Sequence, residues 1–228
     1  NGLCQPSVSR CITEVSNCVV AHLLNQWIKF PNSPYTRQNN KRNFGAIEPC
    51  FSDLIAIIDC TQIRIVAPPA EQPVHPGAAY YCRKNDSINT QIICGADRKI
   101  INTNARFPGF VHDPTIWMMS QIKPELQNLY VTTGQFNYLV GDSGYPLEPW
   151  LLTPFGQVEP NSAPTRYNKA LSKIRTIMEH VNGMLKARFR CTHGHRALHY
   201  DPIRAAKIIY TCAVLHNMYR TSNIALPE

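Results

Sequence analysis

The chain has 228 residues, 44% hydrophobic and 17% charged, which suits one large domain, or one domain plus a short appendage, with a real core. No stretch approaches the ~20 uninterrupted apolar residues of a membrane span, and the opening residues lack the basic cap and apolar run of a signal peptide. The net charge of +8 points to an acidic partner, and nine cysteines, odd in number and without a Cys-x-x-Cys pair, argue against a secreted disulfide framework and for reduced intracellular thiols.

The first residue is Asn, with no initiator Met, which reads as a chain that begins inside a longer protein. Residues 1–30 read as a helical segment, with Ile12, Val15, Val19, Val20 and Leu23 at helical spacing. Its start, from Gly2 to Arg10, resembles the turn and recognition-helix start of a helix-turn-helix, which would put Ser9 and Arg10 against nucleic acid. Cys4, Cys11 and Cys18 recur every seven residues and so share a helix face, expected to pack in the core. Residues 31–50 are rich in Pro and Asn and read as a linker, with the main domain expected over 51–220.

Leu54-Ile55-Ala56-Ile57-Ile58-Asp59 is a near-continuous apolar run, as expected of a buried central strand that ends on an acid. Residues 67–79 form a Pro-rich loop. Two further strands follow, Ser87–Cys94 and Ile100–Phe107, joined by the turn signal Ala96-Asp97-Arg98-Lys99 into an antiparallel meander. A helix is predicted over 113–122, with Asp113 as N-cap and Pro114 at its first position. Phe136–Asp142 is another buried-type strand ending on an acid, and 149–165 a second Pro-rich loop. A long helix is predicted from Asn168 to Arg190, with Leu171, Ile174, Met178, Val181 and Leu185 as its apolar stripe, and a second helix from Ile203 to Tyr219.

Three acids stand out in this order: Asp59 and Asp142 at strand ends, and Glu179 on the long helix, off the apolar stripe. Carboxylates so placed can converge on a pair of hard divalent cations, which prefer oxygen ligands. Two such ions activate a water or hydroxyl and stabilise the leaving oxygen at a phosphodiester. The charge agrees with this chemistry. Residues 165–210 hold ten Lys and Arg against two acids, while the rest of the chain holds thirteen of each sign. That basic excess surrounds Glu179 and marks a phosphate-backbone partner, with Arg175, Lys186, Arg188 and Arg190 as candidate contacts and Arg83 and Lys84 as lesser ones. Cys191, His193, His195 and His199 match no standard zinc spacing and are not read as a zinc site.

The blocks Ile58-Asp59-Cys60-Thr61-Gln62, Ser87-Ile88-Asn89-Thr90-Gln91, Phe107-Pro108-Gly109-Phe110-Val111-His112-Asp113, Gly141-Asp142-Ser143-Gly144-Tyr145-Pro146 and Glu179-His180-Val181-Asn182-Gly183-Met184-Leu185-Lys186 together resemble the catalytic domain of the PIF/Harbinger transposases. The likeness runs from about residue 2 to 220. It implies an α/β, ribonuclease-H-like fold: a mixed sheet with an antiparallel meander and flanking helices, preceded by the helical segment. It also implies a metal-dependent DNA endonuclease using Mg²⁺ or Mn²⁺ at a triad of Asp59, Asp142 and Glu179. Asp113 and His112 would lie beside the site, Asp113 as a further candidate metal ligand. A nuclear protein is implied, with cytoplasmic presence also admitted, working on DNA with a separate Myb-like DNA-binding partner and compatible with a homo-oligomer; no membrane association is expected.

Three positions depart from the family pattern: Cys60 and Gln62 stand where Gly and His are usual, and His180 where Arg is usual. They leave open a catalytically inactive, domesticated transposase acting as a DNA- or chromatin-binding adaptor. A ribonuclease is a third reading, since a fold does not choose its nucleic acid.

Overall fold

The computed structural model describes residues 2, 4–69, 77–82, 85–193 and 196–222. In chain order the elements are helices α1 (Gln5–His22), α2 (Leu24–Trp27) and α3 (Pro34–Ile47), then strands β1 (Leu54–Arg64), β2 (Tyr81–Cys82), β3 (Asn85–Cys94) and β4 (Ile100–Pro108). Helices α4 (Asp113–Met118) and α5 (Ile122–Thr133), strands β5 (Tyr138–Val140) and β6 (Leu151–Leu152), and helices α6 (Ala163–Arg188) and α7 (Pro202–Thr221) complete it.

β1 organises the fold. Leu54 to Ile58 are fully buried on both faces of the sheet, and each Leu or Ile side chain among them contributes about 2 kcal/mol relative to exposure. β1 runs antiparallel to β3, from Ile57 opposite Cys94 to Arg64 opposite Ser87. β3 runs antiparallel to β4. On the other side β1 is parallel to β5, and β5 to β6. The strand order is therefore β4-β3-β1-β5-β6, with β2 pairing only with the first two residues of β3. Alternation along the strands feeds two cores. Ile57, Ile63 and Ile92 pack with Leu171, Ile174, Val181 and Leu185 of α6 and Ile209 of α7. Ile55, Ile58 and Ile93 pack with Trp117 of α4 and Ile122 and Leu126 of α5. The result is a six-stranded mixed sheet with helices on both faces.

Several expectations need correction. The stretch expected to be a linker carries α3, a helix whose Ser33 Oγ accepts from the Thr36 amide (3.2 Å) and whose Phe44 is fully buried. Its polar residues are staples rather than spacer: Asn40 Nδ2 donates to Ile55 O (2.9 Å), and Lys41 Nζ to Asp53 (2.8 Å) and to Phe136 O (2.6 Å). Cys4, Cys11 and Cys18 do share one helix face, but it is the exposed one. Toward α7 the helix presents polar side chains beside apolar ones. Arg204 on α7 donates to Thr13 and to Ser9, and Lys207 Nζ donates to Asn17 (2.8 Å).

The helix expected over 113–122 ends at Met118, and a second one, α5, starts at Ile122, where the backbone amide donates to Ser120 Oγ (3.2 Å). α5 closes on Gly134 in the left-handed region (φ 64°), the conformation glycine favours as a helix stop. Within the second Pro-rich loop lies β6. Part of the loop over 67–79 lies outside the described residues. Among the described residues, no helix is long and apolar enough to cross a membrane.

Candidate active site

Parallel register brings the first two acids together. Ile57 of β1 pairs with Val140 of β5, and two residues further along each chain stand Asp59 and Asp142. Asp59 lies where the buried run of β1 gives way to half-buried positions. Alternation turns it to the α6 side of the sheet, where Asn182 Nδ2 donates to its Oδ2 (3.3 Å). Burial pushes the Asp59 carboxyl up to about 6. The Cys60 amide and the Arg175 charge pull it down, while the charges of Asp142 and Asp113 add to the rise.

Asp142 is held by its own turn. The Gly144 amide donates to its Oδ1 (2.9 Å), and a Cβ on Gly144 would sit 3.1 Å from that oxygen. A Cβ on Gly141 would approach the Tyr145 ring to 2.9 Å. The two glycines of Gly-Asp-Ser-Gly-Tyr thus let the chain wrap tightly around the carboxylate. Tyr145 is buried, and its hydroxyl meets Cys60 Sγ at 3.2 Å. Burial drives the Cys60 thiol far above its ordinary range, so it is neutral packing and not a nucleophile.

Asp113 arrives from the opposite layer. His112, not Asp113, is the N-cap of α4, and Asp113 opens the helix's first turn. Instead of capping, its Oδ1 accepts from Asn89 Nδ2 (2.9 Å), a β3 side chain that also donates to Val111 O (2.8 Å). The His112 ring lies against Phe110, with centroids 6.1 Å apart. Upstream, Gln62 holds the approach: Ser87 Oγ donates to Gln62 Oε1 (2.7 Å) and Gln62 Nε2 to Gly109 O (3.3 Å). A Cβ on Gly109 would lie 2.2 Å from Ser87 Oγ and 2.8 Å from two carbonyl oxygens. Gly109→Ala should therefore lower stability by about 1–3 kcal/mol, read as an earlier urea midpoint, because backbone cannot rotate away as a side chain can. An unchanged midpoint would show this turn to be slack.

On α6, Arg175, Glu179, Asn182 and Lys186 share one face by helical spacing. Arg175 and Asn182 both act on Asp59, so Glu179, between them, stands on the face turned toward the acids. It is exposed, as is its neighbour His180. Among the described residues, no three acids, cysteines or histidines are close enough to form a ready-made metal cage. The donor set nonetheless fits a hard cation: a buried carboxylate beside two further carboxylates, all oxygen, with its proton affinity raised. The same feature makes a stability prediction. With chelator present, the raised pKa of Asp59 stabilises the fold below its unfolded value near 4, and that contribution disappears as pH rises through about 6. Asp59→Asn should then be more stable than the parent at pH 8, on the order of 1–2 kcal/mol, with the gap closing toward pH 4; thermal melts at both pH values read it.

The basic candidates divide. Arg175 is half-buried and addresses Asp59. Lys186 lies further along the same face, and Arg190 is exposed just past the helix end. Arg188 instead sits over the Tyr219 ring of α7 (4.5 Å). Ser9 is engaged with Arg204, and Arg10 is exposed on the same helix; none of their contacts among the described residues involves the acids. Arg83 and Lys84, and His195, lie outside the described residues. Part of the basic excess is structural, since Lys173 pairs with Glu48 (3.0 Å) while Arg204 and Lys207 hold α1. Asn182, Asn89 and Gln62 were not anticipated as site residues; their roles come from tertiary contacts that local spacing does not carry.

Residues 58–217 match the model of a family described as DDE superfamily endonuclease. The chain is 31% identical to HARBI1 of Xenopus laevis over 219 residues, covering 95% of this chain and 60% of that protein. It is 30% identical to HARBI1 of Homo sapiens over 219 residues, with the same two shares. Both relatives are named as candidate nucleases. Identity to the ALP1-like protein of Arabidopsis thaliana is 33% over 146 residues, covering 59% of this chain and 36% of that protein. The chain thus spans about 60% of the length of the HARBI1 relatives it matches. No solved structure matches the chain significantly.

Proposed function

The chain belongs to the DDE superfamily endonuclease family, among proteins derived from Harbinger transposases, and on that premise we propose that it is a metal-dependent DNA endonuclease. The observation that carries the reading is the register that sets Asp59, within β1, near Asp142, two residues past the end of β5, with Asp113 close by and Arg175 and Asn182 of α6 acting on Asp59. Glu179 shares that face of α6 by helical spacing. The strand order, three antiparallel strands followed by two parallel ones, supports a ribonuclease-H-like fold.

Asp59, Asp142 and Glu179, with Asp113, would hold Mg²⁺ or Mn²⁺. When bound, such ions lower the pKa of a water nucleophile and neutralise the departing 3′ oxygen. The protein's own residues do the rest. Asn182 fixes the Asp59 carboxylate toward α6, and the Gly144 amide fixes that of Asp142. Arg175 holds Asp59 toward its charged form. Lys186 and Arg190 are placed for phosphate oxygens along the approach to α6, contacts that position a duplex without reading its sequence. A Myb-like DNA-binding partner would supply target choice, in the nucleus, and self-association is compatible with the same reading.

Supercoiled plasmid incubated with the protein and Mg²⁺ or Mn²⁺ tests this. Nicking that a chelator abolishes supports the reading. Folded protein that retards DNA but leaves plasmid intact with either metal overturns it in favour of a DNA- or chromatin-binding adaptor.

A further inference from the structure

We propose that Cys191 and Cys212 are a peroxide-reactive thiol pair, which closes to a disulfide between the turn after α6 and helix α7. Neither residue takes part in the site described above. Their sulfurs stand 3.8 Å apart across the interface between the two elements. The pair also has an entrance. A cavity of about 420 Å³ is lined by both thiols together with Cys11, Ile12 and Val15 of α1 and Leu198. Cys191 is half-buried at this cavity and Cys212 is 4% exposed behind it. A small uncharged oxidant such as hydrogen peroxide can enter an apolar space of that size, whereas charged oxidants are disfavoured there.

The two sulfurs are unequal, which sets the order of events. The hydrogen bond from Cys212 lowers the Cys191 thiol to about 7, and the same bond together with burial raises Cys212 well above the ordinary range. Cys191 is therefore the thiolate that reacts first. Its sulfur attacks one peroxide oxygen, the O–O bond breaks, and hydroxide leaves to become water on protonation. The product is a sulfenic acid on Cys191. The Cys212 sulfur then attacks that sulfur, the S–O bond breaks, and a second water departs with the Cys212 proton. Two thiols lose two electrons in all, and one peroxide becomes two waters. Cys11 is the competitor: exposed, on the facing wall of the cavity, and on a different element.

The experiment needs no variant. The reduced protein is treated with an equimolar amount of hydrogen peroxide, alkylated, and digested without reduction for mass spectrometry. The expected result is one new cross-linked peptide joining Cys191 to Cys212, a fall in labelled cysteines from nine to seven, and full recovery with dithiothreitol. Cys212→Ser adds a second readout, a Cys191 sulfenic acid that persists and is trapped by dimedone. Alkylation of both Cys191 and Cys212 at full yield while exposed thiols such as Cys4 or Cys18 consume the peroxide would overturn the proposal. So would a disulfide from Cys191 to Cys11.

Discussion

Asp142→Asn should lower plasmid nicking by on the order of a thousandfold, about 4 kcal/mol in the barrier, while DNA retardation changes by no more than about twofold. The substitution is nearly isosteric. Its carbonyl oxygen can still accept the Gly144 amide bond that shapes the turn from Gly141 to Tyr145, so the backbone around the site should persist. What it removes is the carboxylate that acts on Asp59 from just beyond the Ile57–Val140 pair of β1 and β5. An amide oxygen is a poor substitute for a carboxylate toward a hard divalent cation. Binding should survive because the phosphate contacts are assigned to α6 and the turn beyond it, not to β5. Equal loss of nicking and retardation would contradict this division of roles. Undiminished nicking would remove Asp142 from the chemistry altogether.

The division was partly legible in the sequence. An apolar run ending on Asp59 announces a central strand because both faces are covered, and the stripe Leu171 to Leu185 announces the helix behind it. Periodicity could not say which way a face turns. Cys4, Cys11 and Cys18 share a side of α1, yet that side is exposed while Ser9, Thr13 and Asn17 meet α7. Composition misread α3, where Asn40 bonds the backbone of β1 at Ile55 and Lys41 the backbone just before β5 at Phe136, and both look like linker residues only when their partners are unknown. Asp113 fits the pattern of an N-cap, but Asn89, 24 positions earlier, offers it a partner on β3 of the sheet. Gln62 shows the same limit from another side. Read in sequence it is a lost histidine; in the structure it ties Ser87 to the Gly109 turn that leads to His112 and Asp113.

Glu148→Gln should cost about 2–4 kcal/mol of stability without touching the acids. Glu148 is the hub of the layer behind β5 and β6. Its Oε2 accepts from the Trp117 indole (2.9 Å) and the Trp150 indole (2.7 Å), and Oε1 pairs with Lys123. Every partner is a donor, so an amide must point its NH₂ group at one of them. Trp117 is fully buried, and losing its acceptor would leave an indole N–H with no water in reach. The pH dependence follows from the same bonds. Burial raises the Glu148 pKa, but the bonds from Lys123 and the two indoles outweigh it and hold the group below the ordinary value. A depressed carboxylate stabilises the fold above its unfolded pKa, near 4.3, and that contribution is lost as pH falls through the lower folded value. Urea midpoints should therefore separate parent and variant fully at pH 7 and progressively less below pH 4; a gap that is constant with pH would mean that packing, not charge, sets the cost. Cleavage per folded molecule, measured well below the variant's melting midpoint, should match the parent. Asp142→Asn should show the reverse, a stable fold with no cut, because the two carboxylates serve different layers of the same sheet end.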